Sequence, residues 1–310
     1  MAAANNNIER DNEPTYARIY EFEIVNLSLF GNIRDAGGAV DHANAATRFK
    51  KANHRISGDE YILKLAKETP REYNDFLVCL NEVMASLVYN RVFNVYAPRL
   101  ILVYNNIAVP DFPNWLIASK IETLININWR DDIREITTNY EFDFQKTFLV
   151  DCIMANWDLF VRGNTFKIQK DATNNSVTAL RIMRLDVGGS MAFRAQGEDK
   201  PQWNGDPDEH ITFRAIRDYI RPHVTRAVLR KSKAYVSKIF RTKHLVLRNI
   251  LKEITDVLEK IPIGNDDDEI MLDRAITLVS TNTSRILSRW NWYVNNDVIA
   301  GFVDVFPGAP

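Results

Sequence analysis

Four charged side chains sit in surroundings that give them chemical work. Lys64 lies inside the apolar run Tyr61-Ile62-Leu63-Lys64-Leu65-Ala66, directly after the turn signal Ser57-Gly58-Asp59-Glu60. An ammonium with apolar neighbours on both sides must either snorkel to water or meet an anion. Glu82 follows eighteen residues later, near Leu80 and Val83 rather than other charges. Asp158 stands where Asn156-Trp157-Asp158 ends an apolar stretch and the chain must turn. Asp186 closes a short apolar run before Val187-Gly188-Gly189-Ser190, and paired glycines let a backbone turn tightly and approach a ligand. The two aspartates are 28 residues apart. Together with the amide of Asn164 they could hold Mg²⁺ through hard oxygen ligands. Each residue also has a plainer reading: an edge-strand lysine, an exposed helix glutamate, and turn or helix-terminal aspartates.

The elements that must position these groups can be read from periodicity. Residues 1–15 are polar and Asn-rich and read as a flexible tail. Ile19–Leu29 has a strand-like pattern, followed by a charged stretch, the pair Gly37-Gly38, and the polar run Asp41–Arg55. Pro70 and Arg71 open a helix expected to run to about Asn94, with Phe76, Leu77, Leu80, Val83, Met84 and Leu87 at spacings of three and four. Pro98–Tyr104 reads as a strand, and the two prolines of 105–114 mark a candidate hinge. This divides the chain into a small lobe, 16–106, and a larger lobe, 107–310. In the second lobe, Asp143–Trp157 is a predicted helix. Thr165–Gln169 and Thr178–Leu185 form a predicted hairpin, and helices are expected near 209–221, 224–241, 243–260 and 267–288.

The order of these parts is glycine pair, strand with Lys64, helix with Glu82, helix ending at Asp158, Asn164, hairpin, then Asp186-Val187-Gly188. This order resembles a protein-kinase-like fold. Asp151-Cys152-Ile153-Met154-Ala155-Asn156-Trp157-Asp158 and Leu185-Asp186-Val187-Gly188-Gly189-Ser190 are similar to the atypical branch of that superfamily. That branch holds the HipA-type kinases, actin-fragmin kinase, the Golgi casein kinases and the phosphoinositide kinases. The resemblance implies an α+β, two-lobed fold, with antiparallel strands and one helix in the small lobe and a mainly helical large lobe. It also implies an ATP- and Mg²⁺-dependent phosphotransferase acting on a hydroxyl, with protein Ser/Thr favoured and a lipid headgroup or a small metabolite left open.

By position, Asp158 would be the catalytic aspartate, and Lys64 would hold the nucleotide phosphates with Glu82 as its partner. Asp186 and Asn164 would hold the metal, Asn164 with one intervening residue more than is usual, and Gly37 and Gly38 would cover the phosphates. Asp151 and Asn156 have the usual spacing in an alternative register. Arg194 and Lys200 are candidate contacts to an acidic substrate. A catalytically inactive pseudokinase serving as an interaction module is the competing reading, favoured by the sparse glycine loop.

Composition sets the frame. The 310 residues carry 39 basic and 40 acidic side chains with 46% hydrophobic residues, which excludes wholesale disorder and gives no global pull toward polyanions. The average hides an asymmetry: Arg214 to Lys252 holds twelve Lys or Arg and one acid, Asp218, a possible anionic-partner surface for nucleic acid or anionic membrane. Runs such as Leu100–Tyr104 and Val298–Val303 fall far short of the roughly 20 residues of a membrane span. With no secretory signal in view and two cysteines in apolar surroundings, Cys79 and Cys152, an intracellular, reducing setting is expected. The Asn-rich composition is of the kind AT-rich genomes produce, viral or protist among them.

Overall fold

A computed structural model describes residues 20–36, 49–65, 72–110, 112–121, 124–125, 141–156, 165–168, 181–184, 187–193, 200, 203 and 225–296. The chain is α+β. Its first part is a six-stranded sheet: β1 (Ile24–Asn26), β2 (Phe30–Asp35), β3 (Phe49–His54), β4 (Glu60–Leu65), β5 (Leu100–Tyr104) and β6 (Trp115–Lys120), in the order β1-β5-β6-β4-β3-β2. The expected all-antiparallel sheet is corrected at one edge, where β1 runs parallel to β5 with Ile24 opposite Leu102. The proposed hinge at 105–114 is also corrected. It joins β5 to β6, which are antiparallel neighbours with Tyr104 opposite Trp115, so it is a hairpin loop inside the sheet.

Side chains alternate across this sheet with the period of two that pleating imposes. Tyr61, Leu63 and Leu65 of β4, Ile101 and Val103 of β5, and Leu116 and Ala118 of β6 share one core. Leu100, Leu102, Trp115 and Ile117 face the other way, onto helix α1 (Glu72–Leu87). On its far side α1 meets the helical part of the chain, in one continuous core with α2 (Glu141–Ile153), α3 (Arg226–Leu258) and α4 (Asp266–Asn295). Apolar surface on both sides explains why α1 is buried nearly all round rather than along one stripe.

The helix ends sooner than its periodicity suggests. At Val88–Val92 it widens into one π-helical turn, closed by Phe93 N–H donating to Val88 O at 3.1 Å. Asn90 in that turn donates to Ser86 O at 2.9 Å and Ala97 O at 3.0 Å, so its buried amide stands in for lost backbone pairing. A second sheet, β7 (Leu124–Ile125), β8 (Thr165–Ile168) and β9 (Arg181–Arg184), contains the expected hairpin pair β8–β9 plus a short strand not foreseen. The two helices expected at 224–241 and 243–260 are one 33-residue helix, α3. Arg241-Thr242-Lys243-His244 is polar but contains no glycine or proline, so nothing in it breaks a helix.

Candidate functional site

Lys64 is on an interior strand. Its residue pairs with Phe49 on β3 and with Ile117 on β6, and Ile117 faces α1, so Lys64 projects toward that helix. There its ammonium donates to both carboxylate oxygens of Glu82, at 3.0 and 2.8 Å. The edge-strand and exposed-glutamate readings are thereby removed for these two residues. Exposure is unequal: the Lys64 side chain keeps 23% of its surface open, the Glu82 side chain 6%. A buried carboxylate needs a partner, and the partner present is a cation that stays partly exposed.

Three backbone segments meet beside this pair. The C-terminus of α2 finishes in a left-handed cap: Ala155 has φ +49°, Asn156 N–H donates to Asp151 O at 2.9 Å, and Ala155 N–H donates to Cys152 O at 3.2 Å. This is the Schellman arrangement, with alanine where glycine is usual. The segment 187–193 docks onto that end, with Met191, also at positive φ (+58°), donating its N–H to Met154 O at 2.7 Å. Helix α1 ties into the same segment through Asn81, the neighbour of Glu82. Its amide donates to Ser190 O at 3.0 Å and accepts from Ala192 N–H at 3.4 Å and from Asn282 of α4 at 3.0 Å. Two non-glycine residues held at positive φ within one knot are a form of strain that clusters at functional sites.

A buried ion pair lies behind the knot. Arg184, the last residue of β9, grips Asp151 of α2 with two bonds, at 2.6 and 3.3 Å, and donates to Thr147 Oγ1 at 2.8 Å. The Tyr89 hydroxyl, from the π-helical turn, donates to Asp151 Oδ1 at 3.0 Å and accepts from Asn156 Nδ2 at 3.2 Å. Burial pushes the Asp151 carboxyl above its ordinary range, while Arg184 and Tyr89 pull it back down. Burial, reinforced by the Asp151 charge, likewise lifts the Tyr89 phenol and the Cys152 thiol well above their usual values. Both cysteines are buried and neither is in a disulfide. Asn156 Oδ1, fully buried, has no hydrogen-bond partner. It is an open oxygen acceptor two residues before Asp158.

Of the residues singled out by sequence, Lys64 and Glu82 are brought together. Asp158, Asn164, Asp186, Gly37, Gly38 and Arg194 lie outside the described residues. The described segments that flank Asp158 and Asp186, the end of α2 and residues 187–193, are the two that bond directly to each other. The alternative register on Asp151 is excluded, because that carboxylate is sealed against Arg184 with none of its surface exposed. Lys200 is a correction. It is 2% exposed, and its ammonium donates to Ala155 O at 2.7 Å and to Gly189 O, so it pins α2 to the 187–193 segment instead of facing a substrate. Sequence reasoning also missed Asn81, Tyr89 and Arg184. Each is a polar residue inside or bordering an apolar run, which is the signal that had drawn attention to Lys64.

Among the described residues no three His, Cys, Asp or Glu side chains gather as a metal site, and no helix is long and apolar enough to cross a membrane. No protein-family model matches the chain, and no curated protein matches it. Among solved structures it is similar to the crystal structure of the Helicobacter pylori proinflammatory kinase CtkA, at 12% identity and a TM-score of 0.44, over 81% of this chain and 92% of that one.

Proposed function

We propose that the chain is an ATP- and Mg²⁺-dependent phosphotransferase of atypical-kinase type, transferring the γ-phosphate to a hydroxyl, with protein Ser/Thr the favoured acceptor. The observation that carries this reading is the Lys64–Glu82 pair, at 2.8 and 3.0 Å, on an interior strand and a buried helix. A strand lysine oriented by a helix glutamate is the part of a kinase site that neutralises nucleotide phosphates. The partly open ammonium fits that role, since it can reach a phosphate without leaving Glu82.

Asp158 would orient the attacking hydroxyl, and Asp186 with Asn164 would hold the metal. The unpartnered Asn156 Oδ1, two residues before Asp158 in the chain, is a further hard oxygen acceptor. Bound Mg-ATP would supply the phosphoryl group and the charge that activates it. The chain's own residues would position and neutralise, which is most of what phosphoryl transfer asks of a protein. The bonds from Met191 to Met154 and from Lys200 to Ala155 and Gly189 would keep the Asp158 and Asp186 segments in fixed relation.

The test is transfer of γ-labelled phosphate from Mg-ATP to the protein itself and to a mixed Ser/Thr peptide pool. Transfer by the wild type, reduced by about 10²-fold or more in Asp158→Ala and Asp186→Ala, is the expected result. Nucleotide binding without transfer under any condition would replace it with the pseudokinase reading, and absence of nucleotide binding by the folded protein would overturn both.

A further inference from the structure

The charge on this chain is segregated. Arg226 to Lys252 carries nine Lys or Arg and no acid, leaving 30 basic against 40 acidic side chains in the other 283 residues. All nine lie on α3. One face of this helix packs Val228, Ser232, Val236, Ile239, Leu247 and Ile250 inward. The opposite face exposes Arg230, Lys238, Arg241, Arg248 and Lys252 at three- and four-residue repeats, punctuated by Ala234 and Leu245.

Helix stability does not account for this pattern. The first turn holds no acid and begins with Arg226, although the positive end of a helix favours anions. The last turn holds no base, and Glu253, Asp256 and Glu259 crowd the end that favours cations. Arg248 and Lys252 are like charges four residues apart, a repulsive spacing that the exposed Lys252–Asp256 ion pair at 2.5 Å offsets only at its C-terminal member. The charges are therefore arranged against the helix's own field, and a polyanion lying along the face would reverse that penalty.

The shape of the face selects among polyanions. A bilayer surface requires a row of large apolar side chains to insert, and Leu245 is the one large hydrophobic exposed on α3. Single-stranded nucleic acid is gripped by exposed aromatic platforms, whereas Tyr235 and Phe240 of α3 are half-buried, Tyr235 donating to Phe93 O at 2.5 Å and Phe240 stacked edge-on against Trp290. A straight stripe from Arg230 to Lys252 spans about 33 Å at 1.5 Å per residue, close to one turn of a duplex. We infer that this face of α3 binds the phosphate backbone of double-stranded nucleic acid without reading its sequence. The surface stands independently of the phosphotransfer reading.

The full-length protein would be titrated against a fluorescent 24-base-pair DNA duplex by anisotropy across 50–200 mM salt. About five phosphate contacts at ~0.9 each give an expected log–log salt slope near −4.5. Arg230→Gln/Arg241→Gln/Arg248→Gln should flatten the slope by about 2.7 and weaken binding at 50 mM salt by at least tenfold, with an unchanged duplex preference over a single strand. A thermal melt of the variant should match that of the wild type, because Arg230, Arg241 and Arg248 are exposed and their removal relieves like-charge crowding along the face. No duplex binding at 50 mM salt, a slope unmoved by the three substitutions, or tighter binding to phosphatidylserine vesicles or polyglutamate than to the duplex would each overturn the assignment.

Discussion

Two ion pairs in this molecule have nearly the same chemistry and opposite settings. Lys64–Glu82 joins β4 to α1 and leaves the lysine 23% open, whereas Arg184–Asp151 joins β9 to α2 with 3% and 0% exposed. The open pair can accept a third, anionic partner on the lysine without breaking. The sealed pair has its donors committed to Asp151 and Thr147, and it holds the end of α2 against the strand that leads into Asp186. Burial therefore divides the work. The sealed pair sets the geometry, and under the proposed function the open one would meet the nucleotide.

The largest effect should come from breaking the sealed pair. Arg184→Met leaves Asp151 charged and unmatched in the interior and should lower unfolding stability by about 3–5 kcal/mol in a urea titration. Lys200→Met comes next. Loss of charge-assisted bonds to two backbone carbonyls should cost about 2–3 kcal/mol, and hydrogen exchange should lose protection at Met191 before the sheet is affected. Lys64→Met should cost less, about 1–2 kcal/mol, because the buried Glu82 carboxyl can take up a proton and water can reach it through the exposed side that the lysine ammonium occupied. If Lys64→Met proved as destabilising as Arg184→Met, the distinction between the pairs would fail. The smallest change has the opposite sign: Ala155→Gly should stabilise by about 1 kcal/mol, because glycine accepts the left-handed cap without strain.

The parts of this architecture that the sequence made legible are those with strong periodicity or an anomalous residue. Lys64 stood out as a charge in an apolar run, and Glu82 as a charge in a core helix; the structure joins them. β3 escaped notice because Phe49-Lys50-Lys51-Ala52-Asn53-His54 has Ala52 as its one buried side chain, so its ladder partners define it more than hydrophobicity does. The hairpin β5–β6 read as a hinge because Pro110 and Pro113 look the same in a tight loop and in a linker. Lys200 read as a surface contact because no local pattern tells a lysine that it will meet two carbonyls from distant segments. Such long-range juxtapositions are set by packing, which leaves little trace in neighbouring residues.

The central claim is that Lys64, oriented by Glu82, holds the phosphates of a nucleotide. The most direct measurement is a thermal unfolding titration with Mg-ATP on the wild type and Lys64→Met. At a hundredfold excess over the dissociation constant, binding to the folded state alone adds about 2.7 kcal/mol, or roughly 4 °C for a chain of this size. A rise of that order in the wild type, abolished or cut to about a quarter in Lys64→Met, is the outcome this account requires. An equal rise in both proteins, or none in a wild type that unfolds cooperatively, would contradict it.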